Sequence, residues 1–301
     1  MDRSNENLER EDRLPTVVTQ ASTGVFGVAS AAVTGPSGAA RLENGTSAAT
    51  PKSRPLSSHA ETKTGSLKTY PRKLFGRAFK VIKWAIAGWL SVILCLIVIF
   101  RFVNPPASAL MLQQRLLGDE VAQQWVGLED ISPNLVRSVL VSEDGRFCQH
   151  RGVDYQELQN AIERSNDGVA RGASTISMQV TKNMFLWPSK SYLRKAIEIP
   201  LTYVIEAVWN KRRIMEVYLN IAEWGPGIFG VEAASQFHFG KPARRLSGRE
   251  AARLAVTLPN PYARDAGEPG PGTRRLAAEI QDRAQSASRA QLACVIAAIR
   301  P

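Results

Sequence analysis

The chain has 301 residues, 44% of them hydrophobic, and a formal net charge of +11. This length permits one full-sized domain with appendages. A basic chain can bind nucleic acid, anionic lipid or an anionic substrate. Because the sequence has no zinc-finger spacing, recognition-helix pattern or basic motif studded with aromatic residues, nucleic acid is not expected as a partner.

The cysteines are few and scattered: Cys95, Cys148 and Cys294. There is no CxxC pair, and an odd number of this size indicates no disulfide framework. A bridge between Cys148 and Cys294 could form outside the cytosol. We do not expect it from the sequence.

The first hundred residues comprise three segments of different composition. Residues 1–67 are rich in Ser, Thr, Ala, Gly and Pro without apolar periodicity, which predicts a disordered tail. Residues 68–83 are a basic juxtamembrane segment that contains no acid. The uncharged run that follows approaches the roughly 20 residues needed to span a bilayer, so residues 84–101 are predicted to form a transmembrane helix.

The charges flanking this helix predict its orientation. Basic residues precede the helix and little positive charge follows it, so the N-terminal tail is expected in the cytoplasm. The remainder of the chain would be an extracytoplasmic, periplasmic domain on a single-pass anchor in the cytoplasmic (inner) membrane. A buried core helix is the alternative, and the lack of a polar face argues against it.

Helical periodicity dominates after the anchor and predicts a mainly α fold without a strand repeat. Residues 102–132 form a membrane-proximal segment, in which residues 107–117 lie on the membrane surface or form the first packed helix. Residues 133–265 form the main domain, and residues 266–301 a Pro/Gly linker and a helix over 273–299. Helices within the domain are predicted over 135–142, near 154–162, over 174–183 with Ser174 as N-cap, over 191–211 with a kink at Pro200, over 211–220 and over 251–258.

The helix over 191–211 has a polar side and an apolar side. At about 100° per residue, Lys195, Glu198 and Thr202 share one face, and Leu193 and Leu201 share the opposite one. Taken alone, this pattern predicts a solvated polar face with an ordinary i,i+3 pair between Lys195 and Glu198.

The helix over 174–183 places Thr175, Gln179 and Lys182 on one face. Residues 172–175 open this helix, and free N–H groups at a helix N-terminus can bind an oxyanion or a phosphate. Lys190 and Lys195 could join Lys182 in cationic contacts to the same anion.

A short turn carries the adjacent acids Glu143 and Asp144. A lone histidine is more often structural than a metal ligand, and no second histidine follows at helical spacing. Asp144, Phe147 and His150 are therefore expected to shape the turn that orients Glu143.

Five ordered blocks resemble the signatures of the peptidoglycan glycosyltransferases, glycosyltransferase family 51. They are Glu143-Asp144-x-x-Phe147-x-x-His150-x-Gly152, Gly172 to Gln179, Lys195-x-x-Glu198, Arg213-Ile214-Met215-Glu216-x-Tyr218-Leu219-Asn220, and Gly230-Val231-Glu232-Ala233-Ala234 through Phe239-Gly240-Lys241. No single block is specific for this family, but five blocks in the same order across residues 142–262 make the resemblance specific. Because the chain leaves no room for a penicillin-binding transpeptidase domain, it resembles the monofunctional biosynthetic enzymes.

This resemblance implies a lysozyme-like helical domain with a small membrane-facing jaw. It implies an enzyme that polymerises lipid II into β-1,4-linked glycan and releases undecaprenyl diphosphate. Glu143 would be the base on the acceptor's 4-hydroxyl, and Glu198 a second essential carboxylate near the donor's diphosphate, where Mg²⁺ or Mn²⁺ could bind. The positions that match donor- or diphosphate-binding residues are Ser174, Thr175, Gln179, Lys182, Asn183, Lys190 and Lys195. The departures from the usual pattern are Cys148, Met178 and Lys190.

The residue types suit such a reaction. A sugar hydroxyl needs a positioned base when it attacks, and a lipid diphosphate leaves with its charge and needs cations more than a general acid. An α-linked donor that gives a β product requires inversion in one displacement. The expected partners are lipid II, the growing glycan chain, the bilayer and other proteins of cell wall synthesis or division. The alternatives are a lysozyme-like lytic enzyme, against which the three lysines argue, and a non-catalytic wall-binding scaffold, against which the two carboxylates argue.

Overall fold

The computed structural model describes residues 72–163, 172, 174–189 and 191–296, with the backbone alone for residues 72–78. The predicted disordered tail, residues 1–67, lies outside the described residues. The helices of the described part are α1 (Arg72–Phe100), α2 (Ala109–Leu117), α3 (Pro133–Glu143), α4 (Tyr155–Glu163), α5 (Ile176–Phe185), α6 (Tyr192–Val208), α7 (Lys211–Ile221), α8 (Val231–Phe239), α9 (Gly248–Thr257), α10 (Pro271–Ser286) and α11 (Arg289–Ile296). The predicted mainly α fold is confirmed.

Helix α1 contains the apolar segment. Phe79–Phe100 has a mean hydropathy of 2.3 and is long and apolar enough to cross a membrane. Its last turns are covered by the domain, since Ile93 is 4% exposed and Ile97 is fully buried. The indole Nε1 of Trp209 donates to the carbonyl of Ile97 at 2.7 Å, and Nε of Arg213 donates to the carbonyl of Phe100 at 3.0 Å. These bonds tie the end of α1 to the corner between α6 and α7.

Helix α2 is the first packed helix of the domain. Its N-cap Ser108 accepts a hydrogen bond from the N–H of Met111 at 3.2 Å, and Met111 is fully buried. The sequence left open whether residues 107–117 lie on the membrane surface or form the first packed helix. One face of α2 is packed against the domain. The opposite face leaves Leu112, Leu116 and Leu117 exposed.

The core is built around α3, with its buried residues at helical spacing. Leu135, Val136, Val139 and Leu140 are at most 1% exposed, and α3 packs against both α9 and α10. Each such side chain stabilises the fold by about 1.5–3 kcal/mol on full burial. Helix α5 packs against α6 and α7 on the other side of the core. The residue at the C-terminus of α3, Glu143, is thereby held on a rigid element.

A small sheet, which the sequence did not predict, joins two distant parts of the chain. Its strands are β1 (Ala122–Gln123), β2 (Glu223–Gly225) and β3 (Ile228–Phe229), in the order β1-β3-β2. β1 runs parallel to β3 and β2 antiparallel to it. Strands of two or three residues carry no detectable period, which is why the sequence pattern missed them. At the turn, Gly227 has φ +71°, and a Cβ there would lie 2.3 Å from the carbonyl oxygen of Glu120.

The C-terminal part differs from its prediction in two respects. The single helix expected over 273–299 is two helices, because Ser288 begins a new helix by accepting a hydrogen bond from the N–H of Gln291 at 3.4 Å. Cys148 and Cys294 form a disulfide with their Cα atoms 5.5 Å apart, so the expectation of free thiols was wrong. Packing of α10 and α11 against α3 brings the two cysteines together across 146 residues, a proximity that sequence spacing does not encode.

Candidate active site

Glu143 is the last residue of α3 rather than part of the turn that follows. Its Oε2 accepts a hydrogen bond from the side-chain amide of Gln179 at 3.0 Å. Burial raises the pKa of the Glu143 carboxyl above its ordinary value, and the hydrogen bond from Gln179 opposes this. A carboxylate whose pKa is raised is a stronger base, which suits proton abstraction from a hydroxyl.

A chain of hydrogen bonds fixes the amide of Gln179. The phenol of Tyr218 donates to Oε1 of Gln179 at 3.2 Å, so the amide must present its NH₂ group to Glu143. Tyr218 is 1% exposed, and burial raises its pKa well above the usual value, which keeps the phenol protonated as a donor. From the sequence, Tyr218 belongs to the fourth of the five blocks, but it was given no role in the site.

Asp144 ties the Glu143 turn to the start of α5. Its carboxylate accepts a hydrogen bond from the N–H of Ile176 at 3.0 Å and contacts Nε2 of His150 at 2.9 Å. Phe147 is fully buried, with the ammonium of Lys211 4.3 Å from its ring centroid. These three side chains therefore lie where the sequence expected supports of the turn.

The N-terminus of α5, where an anion was predicted to bind, has part of its N–H groups bonded to the protein itself. Thr175, not Ser174, is the N-cap, and its hydroxyl oxygen accepts from the N–H of Met178 at 3.2 Å. The same hydroxyl donates to the carbonyl of Gly152. With Asp144 bonded to Ile176, two of the first four N–H groups of this helix have protein partners, so these two are not available to an anion.

Glu198 is buried between two cations. Its side chain is 2% exposed, with Nζ of Lys195 2.6 Å from Oε1 and the guanidinium of Arg194 bonded to Oε2. The predicted i,i+3 pair is present, but the expectation of a solvated face was wrong. Sequence reasoning missed Arg194, although its position four residues before Glu198 is the ordinary signal for such a pair.

Lys195 connects this ion cluster to the second block. Its Nζ lies 3.4 Å from the hydroxyl of the exposed Ser174. Lys182 is half-buried, and burial lowers the pKa of its ammonium, while the carboxylates of Glu198 and Glu143 act in the opposite direction. Lys182 is thus close enough to both acids for their charges to act on it. Asn183 is 9% exposed on α5, and Lys190 lies outside the described residues.

A cavity of about 230 Å³ brings the first two blocks together. Its lining includes Glu143, Ser174, Thr175 and, from the C-terminal part of the chain, Arg283. The guanidinium of Arg283 donates to the carbonyl of Val141 at the end of α3. Arg283 lies beyond all five blocks, and no sequence pattern pointed to it.

The residues around Glu198 do not fit a divalent cation. Both carboxylate oxygens face cationic partners, so a metal ion would have to displace Arg194 or Lys195 from a buried position. A second candidate for a metal site comprises Asp144, His150 and Asp154, whose ligand atoms lie within 4.8 Å of one another. Both carboxylates of this group already have protein partners. Asp154 accepts from the N–H of Glu157 at 3.0 Å and pairs with Arg146 at 3.2 Å.

Comparison with known proteins agrees with this arrangement. A family model described as Transglycosylase matches residues 110–286, more than half of the chain. The chain belongs to the transglycosylase family.

Similar proteins carry the name biosynthetic peptidoglycan transglycosylase. One from Agrobacterium fabrum is 53% identical over 192 residues, which cover 64% of this chain and 84% of the relative. One from Rhizobium leguminosarum bv. trifolii is 50% identical over 218 residues, covering 71% and 94%. One from Nitrobacter hamburgensis is 48% identical over 213 residues, covering 70% and 94%. The resemblance to peptidoglycan glycosyltransferases is thereby confirmed, and with it the assignment as a glycosyltransferase of peptidoglycan synthesis.

Proposed function

We propose that this transglycosylase polymerises lipid II into β-1,4-linked glycan by inverting displacement of undecaprenyl diphosphate. The supporting observation is the hydrogen-bonded Glu143, with its raised pKa, across from the cations that surround Glu198. A base for a hydroxyl and a positive site for a diphosphate are the two groups that this displacement requires.

Glu143 acts on the acceptor. Its carboxylate takes the proton of the acceptor's 4-hydroxyl as that oxygen attacks the anomeric carbon of the donor. Gln179 holds Oε2, and Oε1, which has only a long 3.5 Å hydrogen bond from the hydroxyl of Ser142, faces the acceptor. Because inversion takes a single displacement, no covalent intermediate with the protein is needed.

The cations act on the donor. Lys195, beside Ser174, and Lys182 stabilise the negative charge that leaves with the diphosphate. Glu198 does not contact the substrate in this mechanism: it holds Lys195 and Arg194 in position. No step needs a metal ion at Glu198, whose oxygens are already bonded.

The apolar helix places the enzyme where its substrate is. We propose that α1 anchors the chain in the inner membrane with its N-terminus in the cytoplasm and the catalytic domain in the periplasm. Exposed leucines on α2 lie on the domain's surface close in sequence to the anchor and contact the lipid. Lipid II, the glycan chain and the bilayer are then the partners.

Lipid II polymerisation by the purified full chain in liposomes tests the proposal. We expect wild type to make glycan in the presence of a chelator, and Glu143→Gln to lose activity by about 10²–10⁴-fold. Cleavage of finished glycan without synthesis of polymer from lipid II would instead identify a lytic enzyme. A fully active Glu143→Gln variant would remove Glu143 from the mechanism.

A further inference from the structure

A second, larger cavity lies outside the residues assigned above. It measures about 580 Å³ and is enclosed by the turn between β2 and β3, the end of α8 and residues 261–265. Two aromatic side chains in its lining are largely uncovered: Phe237 is 69% exposed and Tyr262 is 65% exposed. Exposed aromatic rings beside a cavity indicate a binding surface.

The ring of Tyr262 is held in place although it is exposed. Its hydroxyl donates to Oε1 of Glu223 at 2.9 Å. The same oxygen accepts from the side-chain amide of Gln114 at 3.0 Å and from the N–H of Gly227 at 3.1 Å. The ring is therefore fixed by its polar end while its face stays available, which lowers the entropy cost of binding.

His238 adds a buried polar group to this cavity. Its side chain is 5% exposed, and Nε2 has no hydrogen-bond partner among the described residues. Burial lowers the pKa of the imidazole, so the ring is neutral near pH 7. Nδ1 lies 3.5 Å from the carboxylate of Asp265. Because Nε2 is itself buried, a ligand in the cavity does not reach it, and the His238 ring forms part of the cavity wall.

Arg264 connects the cavity to the catalytic carboxylate. Its side chain lines the cavity, and its charge acts to lower the pKa of Glu143. Its guanidinium donates to the carbonyl of Val256 at 2.7 Å, which fixes it to α9. The cavity is therefore close enough to Glu143 for a charge in its lining to act on that carboxyl.

We propose that this cavity binds a saccharide unit of the glycan strand, beyond the two sugars that react, stacked on Phe237 and Tyr262 beside the charged residues Arg264 and Asp265. The inference rests on the proposed function. A sugar ring has apolar C–H faces and a polar edge, which match exposed aromatic faces next to charged groups. A lipid tail would match the lining less well, since Arg264 and Asp265 are part of it.

Strand length tests the proposal without stopping the reaction. In liposomes containing lipid II, we expect Phe237→Ala of the full chain to shorten the mean glycan strand by about threefold or more, as the loss of one aromatic contact predicts. The rate of lipid II consumption should stay within about twofold of wild type. Phe237→Tyr, which keeps the aromatic face, should restore strand length.

A control and a binding measurement separate this inference from the proposed function. Leu276→Ala, at a half-exposed apolar residue on α10, should change neither readout. Unchanged strand length in Phe237→Ala, or a parallel fall of length, rate and thermal stability, would overturn the subsite. The β-1,4-linked tetramer of N-acetylglucosamine should bind Glu143→Gln and lose about threefold or more in affinity with Phe237→Ala added. Such binding, together with no polymerisation of lipid II by the wild-type chain, would retain the subsite and refute the proposed function.

Discussion

At the scale of single residues, Glu143 combines a functional advantage with a cost to folding. Burial raises the pKa of its carboxyl relative to the unfolded chain. As pH rises, the unfolded state therefore ionises first, and the folded state loses relative stability between the unfolded and the folded pKa. Above both values the penalty is constant. The proposed base is thus a charged group that the fold holds at the expense of its own stability.

This cost predicts the behaviour of Glu143→Gln in thermal unfolding. The variant lacks the ionisable group, so its Tm should equal or exceed that of wild type at pH 8, although it does not polymerise lipid II. The difference in Tm should shrink toward pH 4, where the wild-type carboxyl is protonated. A large fall in Tm at pH 8 would show that the charge at Glu143 supports the fold.

The amide of Gln179 predicts a change in the pH profile. Its hydrogen bond lowers the pKa of Glu143, so Gln179→Ala should move the acid limb of kcat/KM to higher pH. We expect the loss of activity to be greater at pH 6 than at pH 8. Tyr218→Phe removes only the hydrogen bond that orients the amide of Gln179. It should therefore move the acid limb of kcat/KM in the same direction, but by less. Equal losses at both pH values would contradict this role.

The two cations at Glu198 should differ in what their substitution costs: one mainly stability and the other mainly turnover. The side chain of Arg194 is 12% exposed and that of Lys195 is 35% exposed. Arg194→Ala should lower the free energy of unfolding by about 2 kcal/mol or more, because a buried carboxylate loses a partner. Lys195→Ala should cost less stability and more turnover. Chemical denaturation and the rate of lipid II consumption measure the two quantities, and the reverse order would contradict the assignment.

At the scale of elements, the C-terminal helices support the end of α3 that carries Glu143. Arg283 on α10 bonds the carbonyl of Val141, and α11 is joined to the following turn through Cys148 and Cys294. The side-chain amide of Gln291 also donates to the carbonyl of Gly145 at 3.5 Å. The residues after the fifth block thus hold the catalytic turn from outside the family signatures.

The disulfide predicts sensitivity to reduction. Closing a loop of 146 residues constrains the unfolded chain by about 5 kcal/mol in the entropy model. Dithiothreitol, or replacement of both cysteines by serine, should therefore lower the Tm clearly. Cys95→Ser is the matched control, since Cys95 is free and exposed on α1. An unchanged Tm on reduction would mean that the bridge adds no stability.

Much of this arrangement could be predicted from the sequence. The features that could not be predicted have one physical cause in common. Helix α9 with its Ser247–Glu250 capping box depends on local hydrogen bonds, so its start could be predicted. The burial of Glu198 could not, because helical angle gives a face but not the neighbour that covers it. The disulfide and the contact of Arg283 depend on packing across more than 140 residues. Local pattern contains no information on such long-range proximity.

At the scale of the whole molecule, helix α1 is joined to the domain by several hydrogen bonds. Trp209 and Arg213 bond the carbonyls of Ile97, Phe100 and Val103 at 2.7–3.0 Å. A domain held in this way cannot rotate freely about α1. If α1 is the membrane anchor proposed above, the side chains at this junction determine which surface the domain turns toward the lipid.

This junction predicts a defect that depends on the substrate's surroundings. Arg213→Ala should reduce polymerisation in liposomes severalfold more than in detergent, where lipid II reaches the site from any direction. Arg212→Ala is the control, since its partner Glu129 is an exposed side chain 3.4 Å away. Equal effects in both media would show that the orientation of α1 does not matter for substrate access.

The burial of Ile93 and Ile97 also bears on how deep the enzyme would sit in the membrane. The apolar segment Phe79–Phe100 rises about 33 Å, close to the roughly 30 Å of a hydrocarbon layer. Its final turns are covered by protein. If α1 spans the bilayer as proposed, the corner at Trp209 therefore lies at the outer edge of the hydrocarbon layer. Glu198 lies within about 17 Å of Trp209 along α6. Such closeness would let a diphosphate reach the cations of the site while its tail stays immersed in the membrane.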